Sequence, residues 1–540
     1  MSKIKWLARK LEVAHEPGLS NTQLLLTNED LQPVEPERRL WSWLNYIAFW
    51  IADSLNINTW MISSSMIVGG LSWWQSWICV WVGYFIAAGF VCLTGRIGAV
   101  YHISFPVTVR ASFGIWGSFW PVINRVVMAI IWYGVQGYIG GECVTLMISA
   151  IWPSYLHLPN TISPGAGPSG FRSIKFAIYL PSRQSIRPLL RSLSLHGPYP
   201  GPDGIGPIIH QPNTVHGSDL SWAVVKGIMN CIGNFAALIM NDPDFSRFAR
   251  TPKDALWSQL LTIPIGFGIT SFIGIIVSSS AAVIYGKLVW NPLDLLQMFL
   301  DGASSGQRFG IFVIALGFTL AQLGTNISAN SVSAGTDLTA LLPRYLNIRR
   351  GSYICAAISL AICPWKLASS SNQFTTYLSA YSLFLSAIAG VMICDYYIVR
   401  RGYLDVKALY SIGKTDPYFY TYGFSWQAYA AYLSGILINI VGFVGAVGPT
   451  VPIGATYIYN VNYFAGVIVA GGMYFILTKL FPIPATSATW NEVDIDTEHF
   501  SVAYEGQAVD EESRGDYVKS FDESFPPDDQ KGLSAASNKV

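Results

Sequence analysis

The chain has 540 residues, of which 51% are hydrophobic and only 12% charged, and a net charge of +1. That is too apolar for a soluble domain of this length, and the balanced charge excludes a protein that works by attracting nucleic acid or an acidic partner. The composition specifies an all-α, polytopic membrane protein whose constant partner is the lipid bilayer.

The first 40 residues are polar and hold no apolar core, so 1–40 reads as a cytoplasmic N-terminal tail without a cleavable signal, and the first span inserts itself. Apolar runs of about 20 residues, each long enough to cross a bilayer as a helix, follow. They lie near 43–66, 72–94, 120–151, 222–241, 256–285, 309–333, 352–370, 375–398, 427–448 and 461–481. Basic residues cluster before the first span (Lys3, Lys5, Arg9, Lys10) and after alternate later ones (Arg96 and Arg110; Arg247 and Arg250; Arg344, Arg349 and Arg350; Arg400 and Arg401). Cytoplasmic loops retain Lys and Arg, so both termini are expected in the cytoplasm. The membrane domain is bounded at 41–484, and the acidic, Ser-rich stretch 485–540 reads as a disordered cytoplasmic tail. All seven cysteines fall in or beside spans, where they read as small apolar fillers; no disulfide, metal site or cofactor is expected.

Four spans carry polar groups where lipid tolerates few. In the first, Asp53-Ser54-Leu55-Asn56-Ile57-Asn58-Thr59 interrupts an apolar run, a composition suited to an unwound turn facing a cavity. In the third, Trp132 and Gln136 share a helix face at i and i+4, a stacking surface beside an amide. The span at 222–241 holds Gly233-Asn234-Phe235, and the span at 309–333 repeats amides every four residues at Gln322, Asn326 and Asn330. One such group is ordinarily helix glue; four spans contributing amides at mid-membrane point to a shared solute site.

These residues closely resemble the nucleobase–cation symport family one, in its fungal branch of uracil and allantoin permeases. The resemblance rests on Ser72-Trp73-Trp74-Gln75, on Trp132-Tyr133-Gly134-Val135-Gln136, on Asn241-Asp242-Pro243-Asp244-Phe245-Ser246-Arg247-Phe248, and on Gly324-Thr325-Asn326-Ile327-Ser328-Ala329-Asn330-Ser331 with Asn347-Ile348-Arg349-Arg350-Gly351 behind it. It implies a leucine-transporter-type fold: two inverted repeats of five helices plus two C-terminal helices, with helices one and six broken at the site. It makes Trp132 the stacking platform, Gln136 and Asn330 the amides that bond the ring, Asn56 and Asn234 further polar contacts, and Phe235 an aromatic on the opposite ring face. The sodium site of the family's hydantoin transporter falls on Ala52, Leu55, Ala321, Gly324 and Thr325. Gly324 stands where that site has a hydroxyl, which favours protons over sodium, with Asp53 and Glu142 as candidate carriers.

One stretch departs from the family. Between the Trp132 and Asn234 helices, members have helices four and five, whereas residues 167–205 contain no spanning run and carry Arg172, Lys175, Arg183, Arg187 and Arg191. Residues 167–205 are therefore expected to replace those helices through a frameshift or retained intron; a divergent exterior loop is the alternative. The expected function is proton-coupled import of a small planar heterocycle at the plasma membrane, with uracil first and allantoin or another purine-related ring as the alternative. A transport-defective product and a ligand-binding receptor are the rival readings. No enzyme is expected, because no nucleophile–base pair or metal-ligand cluster appears within the spans.

Overall fold

The structure, a computed structural model, describes residues 11–13, 19–28, 30–157, 212–362 and 364–493. Among the described residues the secondary structure is helical, with two isolated β-bridges and no named strand. Eight helices among the described residues are long and apolar enough to cross a membrane: Trp73–Tyr101, Phe119–Ile151, Gly217–Ser246, Pro252–Tyr285, Ser305–Leu341, Ser371–Val399, Trp426–Val447 and Asn462–Leu480. Each overlaps a span expected from hydropathy. Six cysteines among the described residues are buried and free of disulfides.

The first expected span forms two half-helices, α1 (Trp43–Ser54) and α2 (Ile57–Val68), of 12 residues each. Asn56 explains the break. Its side-chain oxygen accepts from the Thr59 backbone N–H at 2.8 Å and its amide nitrogen donates to the Asp53 carbonyl, so one side chain satisfies both frayed ends. The helices that follow are α3 (Trp73–Tyr101), a short buried loop helix α4 (Phe105–Phe113) and α5 (Phe119–Ile151). Then come α6 (Gly217–Ser246) and α7 (Pro252–Tyr285).

Two expectations are corrected. The helix bearing Asn234, expected to be broken as helix six, runs without interruption as α6. The Gly233 carbonyl takes an extra bond from the Tyr381 hydroxyl at 2.6 Å, which engages that backbone group without opening the helix. The span expected at 352–370 is a helix of only 14 residues, Ile348–Ala361, followed by a 3₁₀ turn at Pro364–Lys366. Proline cannot continue a helix, so this one stops short of a full crossing.

The span carrying the amide repeat is α8 (Ser305–Thr325), a π-helical turn at Asn326–Ser331, and α9 (Val332–Leu341). A π turn inserts an extra residue and shifts the face that follows, a feature frequent at functional sites. A second one, Cys394–Val399, ends the helix α10 (Ser371–Ile393). The expected replacement of helices four and five at 167–205 lies outside the described residues.

Candidate functional site

The polar interruptions meet. Asp53, Asn56, Asn58, Trp132, Gln136, Asn234, Asn241, Thr325 and Asn330, with the apolar Ala237, Leu238, Phe267 and Ala329, line one internal cavity of about 30 Å³. Its walls come from the break between α1 and α2, the middle of α5, α6 and α7, and the π turn after α8. Four buried oxygens on this wall have no hydrogen-bond partner: Asp53 Oδ1, Asn58 Oδ1, Asn241 Oδ1 and Thr325 Oγ1. Buried polar atoms are nearly always paired, so four orphans around one space mark a place built for something polar to enter.

Trp132 is wedged by three aromatic rings of α10, with ring centroids of Phe374, Tyr377 and Tyr381 at 6.2, 6.0 and 6.1 Å. Two of the three meet it edge-on, so they hold the indole at its periphery. Gln136 accepts at Oε1 from the Gln322 side-chain amide at 2.6 Å, and Gln322 Oε1 in turn accepts from the Ile57 backbone N–H at 3.1 Å. Asn330 donates to Asn326 Oδ1 at 3.0 Å, while the Asn326 amide donates to the Tyr133 carbonyl at 3.1 Å. Asn241 reaches across from α6 to donate to the Ala329 carbonyl at 3.0 Å, meeting a backbone group of the π turn.

The remaining site residues divide. Asn234 lines the cavity, and so does Asn56, whose amide is already spent on the helix break. Phe235, expected on a ring face, is turned away from the cavity into the apolar core, with centroids of Trp50, Tyr84 and Phe267 at 5.7, 5.5 and 4.8 Å. It follows Asn234 directly on a continuous helix, about 100° further round the axis, and on α6 that rotation carries its ring toward Trp50, Tyr84 and Phe267. Of the cation-site positions, only Thr325 reaches the cavity wall; Leu55 and Ala321 are half-buried, and Ala52 and Gly324 are exposed. Asp53 is buried on the wall, whereas Glu142 is half-buried and accepts from the Tyr138 hydroxyl at 2.6 Å. The sequence pattern did not place Asn58, Asn241, Thr325 or Phe267 among the ring contacts, yet all four line the cavity, with Gln322 behind Gln136. The first three were visible as polar groups in apolar runs; Phe267 carried no signal.

A second polar cluster lies apart from the cavity. Arg125 of α5, buried, bonds both oxygens of Asp337 on α9, with Nε to Oδ2 at 2.6 Å, and places Nη1 at 2.7 Å from Asp244 Oδ2. Its guanidinium also lies 4.1 Å from the Phe105 ring centroid, and Asp244 Oδ1 accepts from the Phe105 backbone N–H at 2.9 Å.

Residues 33–179 and 199–466 match the family described as permease for cytosine/purines, uracil, thiamine, allantoin. The chain belongs to this permease family. An allantoin permease of Saccharomyces cerevisiae is 46% identical over 502 residues, covering 87% of this chain and 78% of that protein. A uracil permease of the same yeast is 44% identical over 498 residues, covering 86% and 78%. Among solved structures, the fold is similar to Mhp1, a nucleobase-cation-symport-1 family transporter in a closed conformation with bromovinylhydantoin bound. The TM-score is 0.62 at 19% identity, covering 86% of this chain and 98% of that one. The family match breaks at 180–198, inside the stretch expected to be foreign.

Proposed function

We propose that this permease imports uracil, or next allantoin, across the plasma membrane by proton symport with alternating access, both termini being cytoplasmic. The observation that carries the reading is the cavity itself: an indole, several amides and four unpartnered oxygens converge at the level where one span is broken. A flat ring bearing carbonyl and N–H groups needs such a combination, an apolar face to lie on and amides for its edges. At about 30 Å³ the space is nearer to a water's share of volume than a ring's, so the surrounding helices must part to admit substrate, as alternating access requires. Asp53, buried on the cavity wall with an unpartnered oxygen, is the better placed proton carrier; Glu142 sits off the wall on α5 with a tyrosine partner.

The test is concentrative uptake of labelled uracil by the full chain in a host lacking its own permeases, with allantoin, uridine and thiamine as competitors. Saturable binding without accumulation identifies a receptor instead. A second reading is favoured by the break in the family match at 180–198, within a stretch holding Arg183, Arg187 and Arg191: the chain as written is a transport-defective product of a frameshift or retained intron. Retention in the endoplasmic reticulum together with absent uptake supports that reading.

A further inference from the structure

Hydrogen-bond orientation in this site is fixed from the backbone outward. Side-chain amides can ordinarily point either way, because oxygen and nitrogen are interchangeable in shape. Gln322 cannot. The Ile57 N–H, in the first turn of α2, is a donor with no partner inside its own helix, and only Gln322 Oε1 can accept from it. That choice turns Gln322 Nε2 toward Gln136, which must then present Oε1 to it. Gln136 is left with its amide nitrogen, both hydrogens unused among the described residues, in a side chain that lines the cavity and is only 5% exposed. A second chain runs parallel: the Tyr133 carbonyl fixes Asn326, and Asn326 fixes Asn330 as a donor to it, leaving Asn330 Oδ1 for the cavity.

We propose that Gln322 is the positioning residue that fixes the polarity of the substrate site, holding Gln136 as a hydrogen-bond donor so that the site selects rings offering an acceptor, such as a ring carbonyl, at that point. This rests on the importer reading and deepens it: the ring edge recognised is a carbonyl beside an N–H, the carbonyl toward Gln136 and the N–H toward Asn330 Oδ1. Gln322 touches no substrate and acts through Gln136. Because its other bond is to the first turn of α2, it also ties the substrate-facing amide to the break in the first span.

The test measures equilibrium binding to the purified full chain for two probes: uracil, and the 2-aminoimidazolium cation, which carries donors on ring and exocyclic nitrogen and no acceptor. Gln322→Met frees Gln136 to rotate and show its oxygen, so the ratio of the two affinities is expected to fall tenfold or more in favour of the cation. Gln322→Glu, nearly the same shape, accepts from Ile57 but offers no proton to Gln136, and should move the ratio the same way if the methionine variant fails to fold. In a Gln136→Ala background, Gln322→Met should change uracil affinity no further. Equal weakening of both probes with the ratio unchanged, or effects that add in the double variant, overturns the proposal and leaves the importer reading standing. A wild-type chain that binds no uracil overturns both.

Discussion

Removing the guanidinium of Arg125 should cost this protein a large share of its stability. The side chains of Arg125, Asp244 and Asp337 are each at most 1% exposed, and Arg125 alone faces both carboxylates. Arg125→Met keeps the length of the stem, removes the two bonds to Asp337, the contact with Asp244 and the 3.1 Å bond to the Met240 carbonyl, and strands two carboxylates in the packed interior. Breaking one buried pair by deleting a partner costs about 3–5 kcal/mol, and here two pairs go at once. Against a total stability of about 5–15 kcal/mol, a loss at or above that range leaves a protein close to its unfolding threshold. Asp337→Asn should cost less, because Arg125 keeps Asp244 and the asparagine oxygen still accepts. Arg125→Met/Asp337→Leu should regain part of the loss by removing one stranded charge, although Asp244 keeps its charge with the Phe105 N–H but without Arg125. Chemical unfolding in mild detergent, read by tryptophan fluorescence, ranks the three. If Arg125→Met unfolds at the wild-type midpoint, the triad is not the clamp its geometry indicates.

Gln136→Ala and Asn330→Ala should each weaken uracil binding by about 1–3 kcal/mol, tenfold or more, while the protein still reaches the cell surface; unchanged affinity in uptake competition would make that residue helix glue only. Trp132→Phe should be milder than Trp132→Ala, since a smaller ring still stacks, and equal defects in uptake would argue against stacking. With Asp53 as carrier, Asp53→Asn should preserve exchange of labelled for unlabelled uracil but remove accumulation, and wild-type uptake should be indifferent to replacing sodium with choline. Resequenced transcript should encode two apolar spans in place of 167–205 and restore uptake; robust uptake by the 540-residue chain as written would instead make that stretch genuine.

The parts of the fold that sequence made visible are those governed by local chemistry. Most long apolar runs became helices, 352–370 being the exception, and the break after Ser54 was legible because Asp53, Asn56, Asn58 and Thr59 cluster there and Asn is a favoured capping residue. Trp132, Gln136, Asn234 and Asn330 could be gathered into one site because an amide inside a span has few places to go. What stayed hidden depends on partners distant in the chain. α6 runs on through Gly233, whose carbonyl also accepts from Tyr381, 148 residues away, and no propensity at Gly233 announces that partner. Phe235 was misplaced because its role turns on which of two neighbouring residues faces inward, and that is set by the rotation of α6 against Trp50 and Phe267. Amide polarity is further still from the sequence, since it is decided by a backbone N–H in another span.

The contacts between α5 and the α8–α9 span form a ladder whose numbering runs in opposite directions on the two sides: Arg125 with Asp337, Tyr133 with Asn326, Gln136 with Gln322. Three rungs spread over eleven residues of α5 span about 16 Å at 1.5 Å per residue, so the two helices are held at several levels and should move as one body. One rung carries the cavity-lining Gln136, one holds Asn326 behind the cavity-lining Asn330, and the third is the buried ion pair. Motion must then be supplied by what this body is weakly joined to. The break between α1 and α2 fits that requirement, because the first turn of α2 is tied to the ladder by the Gln322 to Ile57 bond and the break has no continuous helical hydrogen bonding to resist bending. On the proposed importer reading, substrate engaging Gln136 would act on the amide whose partner Gln322 holds the broken span, and so would link occupancy of the site to its opening through a single side chain.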